Sequence, residues 1–308
     1  MRHAYAKIDG TILHEGRYIN ADRFYEDFAL LITEQGFSHM NMDFLTPYPI
    51  YKWLTRYFHG WAAFESLDGT KGFIDYSHQN SIYLDFDGFA RFSSDGVASY
   101  SKNGLSGIID QSGNIILDPT YTRVDVFSEG FALVEIDSNF GFLNTKGEVT
   151  HPAVWNNALF FKNGLAAVSN SNNKWGCVNT NGDLVIPTKY SFLGACDDER
   201  ICFQKGRKYG FLNMEGEIVI PPIFEEVDGF SEGYAAVQVN KKWGIIDTKG
   251  DFIVEPALEM ARRFYHGCSI IVKDNTVGLL SPNGEMTMYP QFHYVDYPYK
   301  DIMSVVLE

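Results

Sequence analysis

Cysteine is scarce in this chain. Four of its 308 residues are Cys, and no two form a C-x-x-C pair, so neither a disulfide framework nor a zinc knuckle is expected. Basic residues are also in deficit. Lys and Arg number 25 against 39 Asp and Glu, a formal charge of −14. Binding to a phosphate backbone needs clustered Lys and Arg, so nucleic acid is not an expected partner. The same deficit disfavours an anionic membrane surface. No apolar run approaches the roughly 18 residues of a membrane span, and Met1–Asp9 lacks the apolar stretch of a secretory signal. A soluble, reduced, cytoplasmic protein is the expectation. The eight His residues form no H-E-x-x-H spacing, and the glycines form neither G-x-G-x-x-G nor a P-loop. No metal, cofactor or phosphate site is therefore expected.

What the chain does have is periodicity. Trp243-Gly244-Ile245-Ile246-Asp247-Thr248-Lys249-Gly250 has relatives starting at Trp175-Gly176, Tyr209-Gly210, Phe140-Gly141 and Ser106-Gly107. Weaker copies start at Lys71-Gly72 and Val277-Gly278. The glycines at 72, 107, 141, 176, 210, 244 and 278 are spaced by 34 or 35 residues. A second block keeps the same period: Phe230-Ser231-Glu232-Gly233-Tyr234-Ala235-Ala236-Val237 matches Phe127–Val134 and Phe161–Val168. The ends look like halves of one further unit. Ile8–Leu13 resembles a shortened hairpin, and Asp301–Leu307 resembles a first strand without its hairpin.

Each unit is expected to be a three-stranded antiparallel meander. The first strand is the Ala-x-Val segment, such as Tyr234–Val239, and the second is Lys242–Asp247. The Asp-x-x-Gly turn then uses Asp247 to bond backbone N–H groups and Gly250 to take a left-handed conformation. The third strand, Phe252–Glu255, is expected to stop at Pro256, which cannot donate to a ladder. Apolar pegs recur in the connector: Phe224, Val227 and Phe230, or Tyr121, Val124 and Phe127. So small a unit cannot bury enough surface alone and must stack on its neighbours. The expectation is one all-β, all-repeat domain of about nine units. Degenerate repeats fill residues 1–105, regular repeats fill 106–290, and 291–308 supply the closing strand. The split unit favours a closed, propeller-like ring over an open β-solenoid.

The string Lys242-Trp243-Gly244-Ile245-Ile246-Asp247-Thr248-Lys249-Gly250, preceded by Phe230–Val237, resembles the WG (KWG) β-repeat family of mainly bacterial proteins. The likeness is close at Phe230–Pro256, good over Phe127–Pro221 and faint before Gly72. It implies tandem β repeats used as an interaction scaffold, with no shared catalytic residues to carry over.

The chemistry candidates read mostly as structure. Asp75, Asp110 and Asp247 share a slot with Asn144, Asn179 and Asn213. That exchange suits turn capping and does not suit acid–base work, which needs a titrating group. His59 and His266 sit in a turn slot held elsewhere by Glu129, Glu232 and Asn163. Cys177, Cys202 and Cys268 read as small core residues, and Cys196 as the more exposed one. The aromatic slot of Phe140, Trp175, Tyr209 and Trp243 reads as packing, because Ser106 and Val277 interrupt it.

Departures from the repeat are the better binding candidates. Asn41–Tyr57 replaces a regular turn and third strand, and Tyr48, Tyr51 and Trp53 are its candidate contact residues. Cys196-Asp197-Asp198-Glu199-Arg200 replaces the usual Glu-Gly turn. Its Asp197, Asp198 and Glu199 are candidates for meeting a basic partner. Tyr289–Tyr299, rich in Tyr and His, is a third departure. The functional expectation is a non-enzymatic scaffold for a protein partner, in particular an immunity or toxin-neutralising protein. A binder of carbohydrate or another small ligand is the alternative.

Overall fold

The computed structural model describes residues 2–16, 18–46, 49–88 and 91–307. Among these residues every regular element is a β-strand, and the strands form nine small antiparallel sheets. Two compact units divide the chain. The first is Met1–Ala153 with Pro298–Glu308, and the second is Val154–Tyr297.

The turns explain why the repeat motif folds as it does. In Phe230–Tyr234, Ser231 and Tyr234 exchange backbone hydrogen bonds at 2.9 and 3.1 Å across a two-residue loop. Glu232 and Gly233 between them have φ of 56° and 86°, the paired positive values of a type I′ hairpin. After the second strand, Asp247 Oδ1 accepts N–H bonds from Lys249 at 2.9 Å and Asp251 at 3.0 Å. Asn213 Oδ1 accepts the same two bonds, from Glu215 at 3.2 Å and Glu217 at 2.8 Å. Asp and Asn are thus equivalent here because the acceptor oxygen is what the turn uses.

The glycine of the Trp-Gly pair has a different cause, a close approach of two backbones. A Cβ on Gly210 would lie 2.5 Å from Ile220 O and 2.7 Å from Pro222 N, and on Gly176 2.3 Å from Ile186 O. The third strand bulges at that point. Trp243 pairs with Leu258 and Ile245 with Val254, so a step of two residues on one strand spans four on the other. Consequently the third strand does not stop at proline, as the sequence suggested. It runs Phe252–Leu258 through Pro256 and Leu184–Tyr190 through Pro187. Proline is tolerated because the bulge sits on the outer strand, where no ladder partner needs its missing N–H.

The expected three strands also need correction. Most sheets have four. The extra strand is a short piece of the connector that pairs with the first strand of the following meander, as Arg123–Val124 does with Glu135 and Val134. Four of the six pegs, Val124, Phe127, Phe224 and Phe230, are buried as expected, while Tyr121 and Val227 are half-buried against the same cores. They fill the space between consecutive sheets. One such core joins Phe211, Ile220 and Phe224 of one sheet to Ala235, Val237 and Ile246 of the next. A unit's apolar face is therefore covered only by its neighbour, as stacking requires.

In the first unit the two ends of the chain share a sheet. Arg2–Lys7 pairs with Ile12–Gly16 on one side and with Ile302–Leu307 on the other. Ser304 Oγ donates to Ala21 O at 2.9 Å, and Tyr299 and Ile302 pack on the core around Tyr5, Phe24 and Leu31. The termini thus complete the split repeat between them. This is the strand closure of a propeller and not the open end of a solenoid.

Candidate functional site

The second unit contains a cavity of about 500 Å³. Its origin can be traced to one slot of the repeat, the residue just before each peg. Along the chain that slot holds Arg23, Arg56, Arg91, Val126, Phe160, Ala195, Gly229 and Arg263. Phe160, Ala195, Gly229 and Arg263 all line the cavity. Two successive small residues leave open space where five of the other six repeats place arginine or an aromatic ring. The opening at Gly229 is tight, since a Cβ there would sit 2.7 Å from Asp197 Oδ2 and 3.2 Å from the Arg263 guanidinium.

The walls divide by chemistry. Phe192, Cys202, Tyr209, Phe211 and Phe230 form an apolar side. On the other side Lys162 Nζ is hydrogen-bonded to Asp197 Oδ1. Asp228 takes three bonds from Arg263: its backbone N–H at 3.0 Å, Nε at 3.1 Å and Nη2 at 3.0 Å. Arg263 Nη1 also comes within 3.9 Å of Asp197 Oδ2. Burial works against the Arg263 charge, but the facing carboxylates of Asp228 and Asp197 outweigh it and raise its pKa. Arg200 hydrogen-bonds neutral acceptors, Thr248 O at 3.2 and 3.1 Å and Glu199 O at 3.0 Å. Glu226 stands exposed at the rim.

The three adjacent acids that the sequence marked as candidates separate here. Asp197 lies in the cavity wall, only 8 % exposed. Asp198 Oδ2 accepts the Gly233 N–H at 2.7 Å, thirty-five residues on. Asp198 and Glu199, with φ of 47° and 58°, occupy the hairpin positions that Glu232 and Gly233 hold in the next repeat. The segment is therefore a regular turn with irregular residues. Cys196 beside it is buried like the other thiols, at 3 % exposure, and less exposed than Cys202 or Cys268, against the expectation that it would be the more exposed one. Its Sγ lies 2.9 Å from Met214 Sδ. Burial pushes the Cys177, Cys202 and Cys268 thiols up to about 12, far from the thiolate a nucleophile needs.

The aromatic candidates of the first unit behave differently from one another. Tyr48 lies outside the described residues. Tyr51 is 7 % exposed. Its backbone pairs with Phe37 in place of a third strand, at 2.9 and 2.8 Å. Trp53 is half-buried in a short strand against the core of Phe73, Phe86 and Phe92. Tyr51 also leads to a cluster that the sequence did not reveal. Its hydroxyl bonds His78 Nδ1 at 2.9 Å, and Tyr57 bonds His78 Nε2 at 2.8 Å. Next to them His39 is fully buried with Nε2 bonded to Thr55 O at 2.8 Å. Burial drives its pKa down to about 3. No local pattern marked His39, because Gly36–Asn41 buries three successive residues, Ser38, His39 and Met40, on both faces of the strand. In the aromatic slot, Trp175, Tyr209 and Trp243 are half-buried against their sheets' cores.

Comparison with known proteins settles the lineage of this architecture. The model of the WG containing repeat matches residues 72–105, 107–139, 140–175, 175–209, 209–243 and 243–276. The chain belongs to the WG-repeat family. The repeats matched include every one that lines the cavity. Among solved structures, the chain is similar to a eukaryotic initiation factor, with a TM-score of 0.61 at 9 % identity over 94 % of this chain and 96 % of that one. That likeness is one of fold. A computationally designed protein, Ika8, gives 0.47 at 11 % identity over 89 % and 97 %. BamB from Moraxella catarrhalis gives 0.45 at 10 % identity over 94 % and 98 %. No curated protein matches the sequence. Among the described residues no group of three or more His, Cys, Asp or Glu side chains is arranged to hold a metal ion, and no helix is long and apolar enough to cross a membrane.

Proposed function

We propose that this WG-repeat chain is a non-enzymatic scaffold that binds a basic protein partner along the third strands of its repeats. The observation that carries this reading is the pattern on those strands. In repeat after repeat an exposed acid stands next to exposed apolar residues: Glu148 with Val149, Asp183 with Leu184 and Val185, Glu217 with Ile218 and Val219, Asp251 near Ile253. These residues lie on or beside strands that end their sheets. Outer strands carry unpaired backbone groups, and apolar side chains there are costly to leave in water. A partner strand or loop would cover both, and the acids would select a basic one. The overall charge of −14 supports the same preference. A basic effector protein neutralised by this surface is the finer form of the proposal.

The test compares wild type with Asp183→Lys/Glu217→Lys as baits in host lysate at low and high salt, read by mass spectrometry. A stoichiometric partner held by wild type at low salt, released by salt and absent from the variant supports the reading. The same proteins on both baits, or none on either, would overturn it.

A further inference from the structure

The cavity of the second unit is not explained by an edge-strand scaffold. We propose that it is a binding site for a small carboxylate carried on an aromatic body. Three features lead there.

The carboxylates that line the inner wall are already committed. Asp228 holds Arg263 through three hydrogen bonds, and Asp197 holds Lys162. The cations are not used up in return. An ammonium group has three donors, and Lys162 keeps 42 % of its side chain exposed. Arg263 Nη1 faces Asp197 only at 3.9 Å, beyond hydrogen-bond length. Arg200 bonds carbonyl oxygens and so retains its whole charge. Inside the rim, three cations therefore face two carboxylates, while Glu226 is out in solvent where its charge is screened.

The opposite wall suits an aromatic ring. Phe160 and Phe192 are 48 % and 39 % exposed, with Tyr209 and Phe211 behind them. Large rings half in water beside unspent donors form a mixed surface of the kind small-ligand sites use, an apolar wall with a few convergent polar groups. The third feature is volume. The space exists because the repeat slot shrinks to Ala195 and Gly229, and about 500 Å³ is within the ordinary range for small-ligand pockets. Scaffold stability gives no reason for two adjacent repeats to lose the side chain that other repeats place there.

The experiment is an NMR titration of the full chain with N-acetylphenylalanine and, separately, with its carboxamide. The acid is expected to give saturable shifts at the amides of Gly194, Ala195 and Gly229. The amide, lacking the charge, is expected to bind at least about tenfold more weakly, as a lost charged hydrogen bond predicts. Lys162→Met is expected to weaken the acid by a similar factor. Gly229→Arg restores the side chain of other repeats and is expected to abolish binding. If that variant does not fold, Ala195→Leu fills the same space from the other side. The proposal is overturned if the acid gives no saturable shift, if acid and amide bind equally, or if binding survives a folded, cavity-filling variant. Asp183→Lys/Glu217→Lys leaves this site untouched, so the cavity and the edge-strand reading fail or survive separately.

Discussion

One slot of the repeat is used in opposite ways in the two units. In the first unit it carries Arg23, Arg56, Arg91 and Val126. Arg56 pairs with Asp22 of the preceding repeat, and Arg91 lies over the Phe58 ring at 4.9 Å. In the second unit it carries Phe160, Ala195 and Gly229 before Arg263 restores the pairing by holding Asp228. Asp22–Arg56 and Asp228–Arg263 are the same interaction, made between the same positions of consecutive repeats. What differs is the two repeats that precede Arg263, where small residues replace the long side chain and a cavity results. The backbone tolerates either choice, because the peg behind the slot and the hairpin beside it hold the sheets in place.

A second contrast concerns burial. The first unit buries His39 and half-buries His78, whereas His266 and His293 of the second unit are exposed. All four cysteines lie in the second unit, and all are buried.

The sharpest attempt to separate the units would substitute their shared glycine. Gly72→Ala and Gly210→Ala each place a Cβ within 2.5 Å of a backbone carbonyl oxygen. Backbone cannot move aside as a side chain can. Each variant is expected to lose about 3 kcal/mol or more, read as a shifted midpoint in urea. Gly194→Ala, whose Cβ would sit 3.5 Å from Cys202 Cβ, should change stability by less than about 0.5 kcal/mol. Equal effects for Gly194 and Gly210 would mean the bulge is not what demands glycine.

Acid should act on the first unit next. His39 is neutral when folded, with a pKa of about 3 against an ordinary value of 6.5. Below pH 6.5 the unfolded chain takes up a proton that the folded chain refuses, so stability falls as pH drops from 6.5 towards 3 and is unaffected above 6.5. The slope approaches about 1.4 kcal/mol per pH unit, and the lowered pKa of His78 adds in the same direction. Hydrogen exchange at about pH 7 and about pH 5, either side of the ordinary histidine pKa, should show protection lost first around Phe28–Asn41. The variant His39→Leu should flatten the pH dependence, and an unchanged slope in it would place the acid sensitivity elsewhere.

The ion pair offers a smaller effect. A double-mutant cycle on Asp22→Asn and Arg56→Met is expected to give a coupling of about 1 kcal/mol, since the pair is only partly shielded from water. The matching cycle on Asp228 and Arg263 should give at least as much, given its three hydrogen bonds. The least demanding check is thiol titration. The native chain should react with a thiol reagent at none of its four cysteines on the timescale in which the urea-unfolded chain reacts at all four. Rapid reaction of one would show that the second unit opens locally.

The repeat, its period, the turn chemistry and the buried pegs were all legible in the sequence, because each arises from contacts within one unit or between adjacent ones. Asp247 and Asn213 announce their turns, and Phe127 and Phe230 their burial, through local pattern alone. The halves Ile8–Leu13 and Asp301–Leu307 pointed to a unit shared by the termini and so to a closed ring; that the joining strands are Arg2–Lys7 and Ile302–Leu307 came from the fold. Three things were decided only by tertiary structure. Strand three continues through Pro256 because a bulge on an outer strand removes the need for its N–H. Asp197, one of three adjacent acids in the sequence, is drawn out of solvent because Lys162 and Arg263 approach it from repeats on either side. The cavity depends on what surrounds Ala195 and Gly229. Small residues in a row read as ordinary variation until the fold shows which large side chains stand around them.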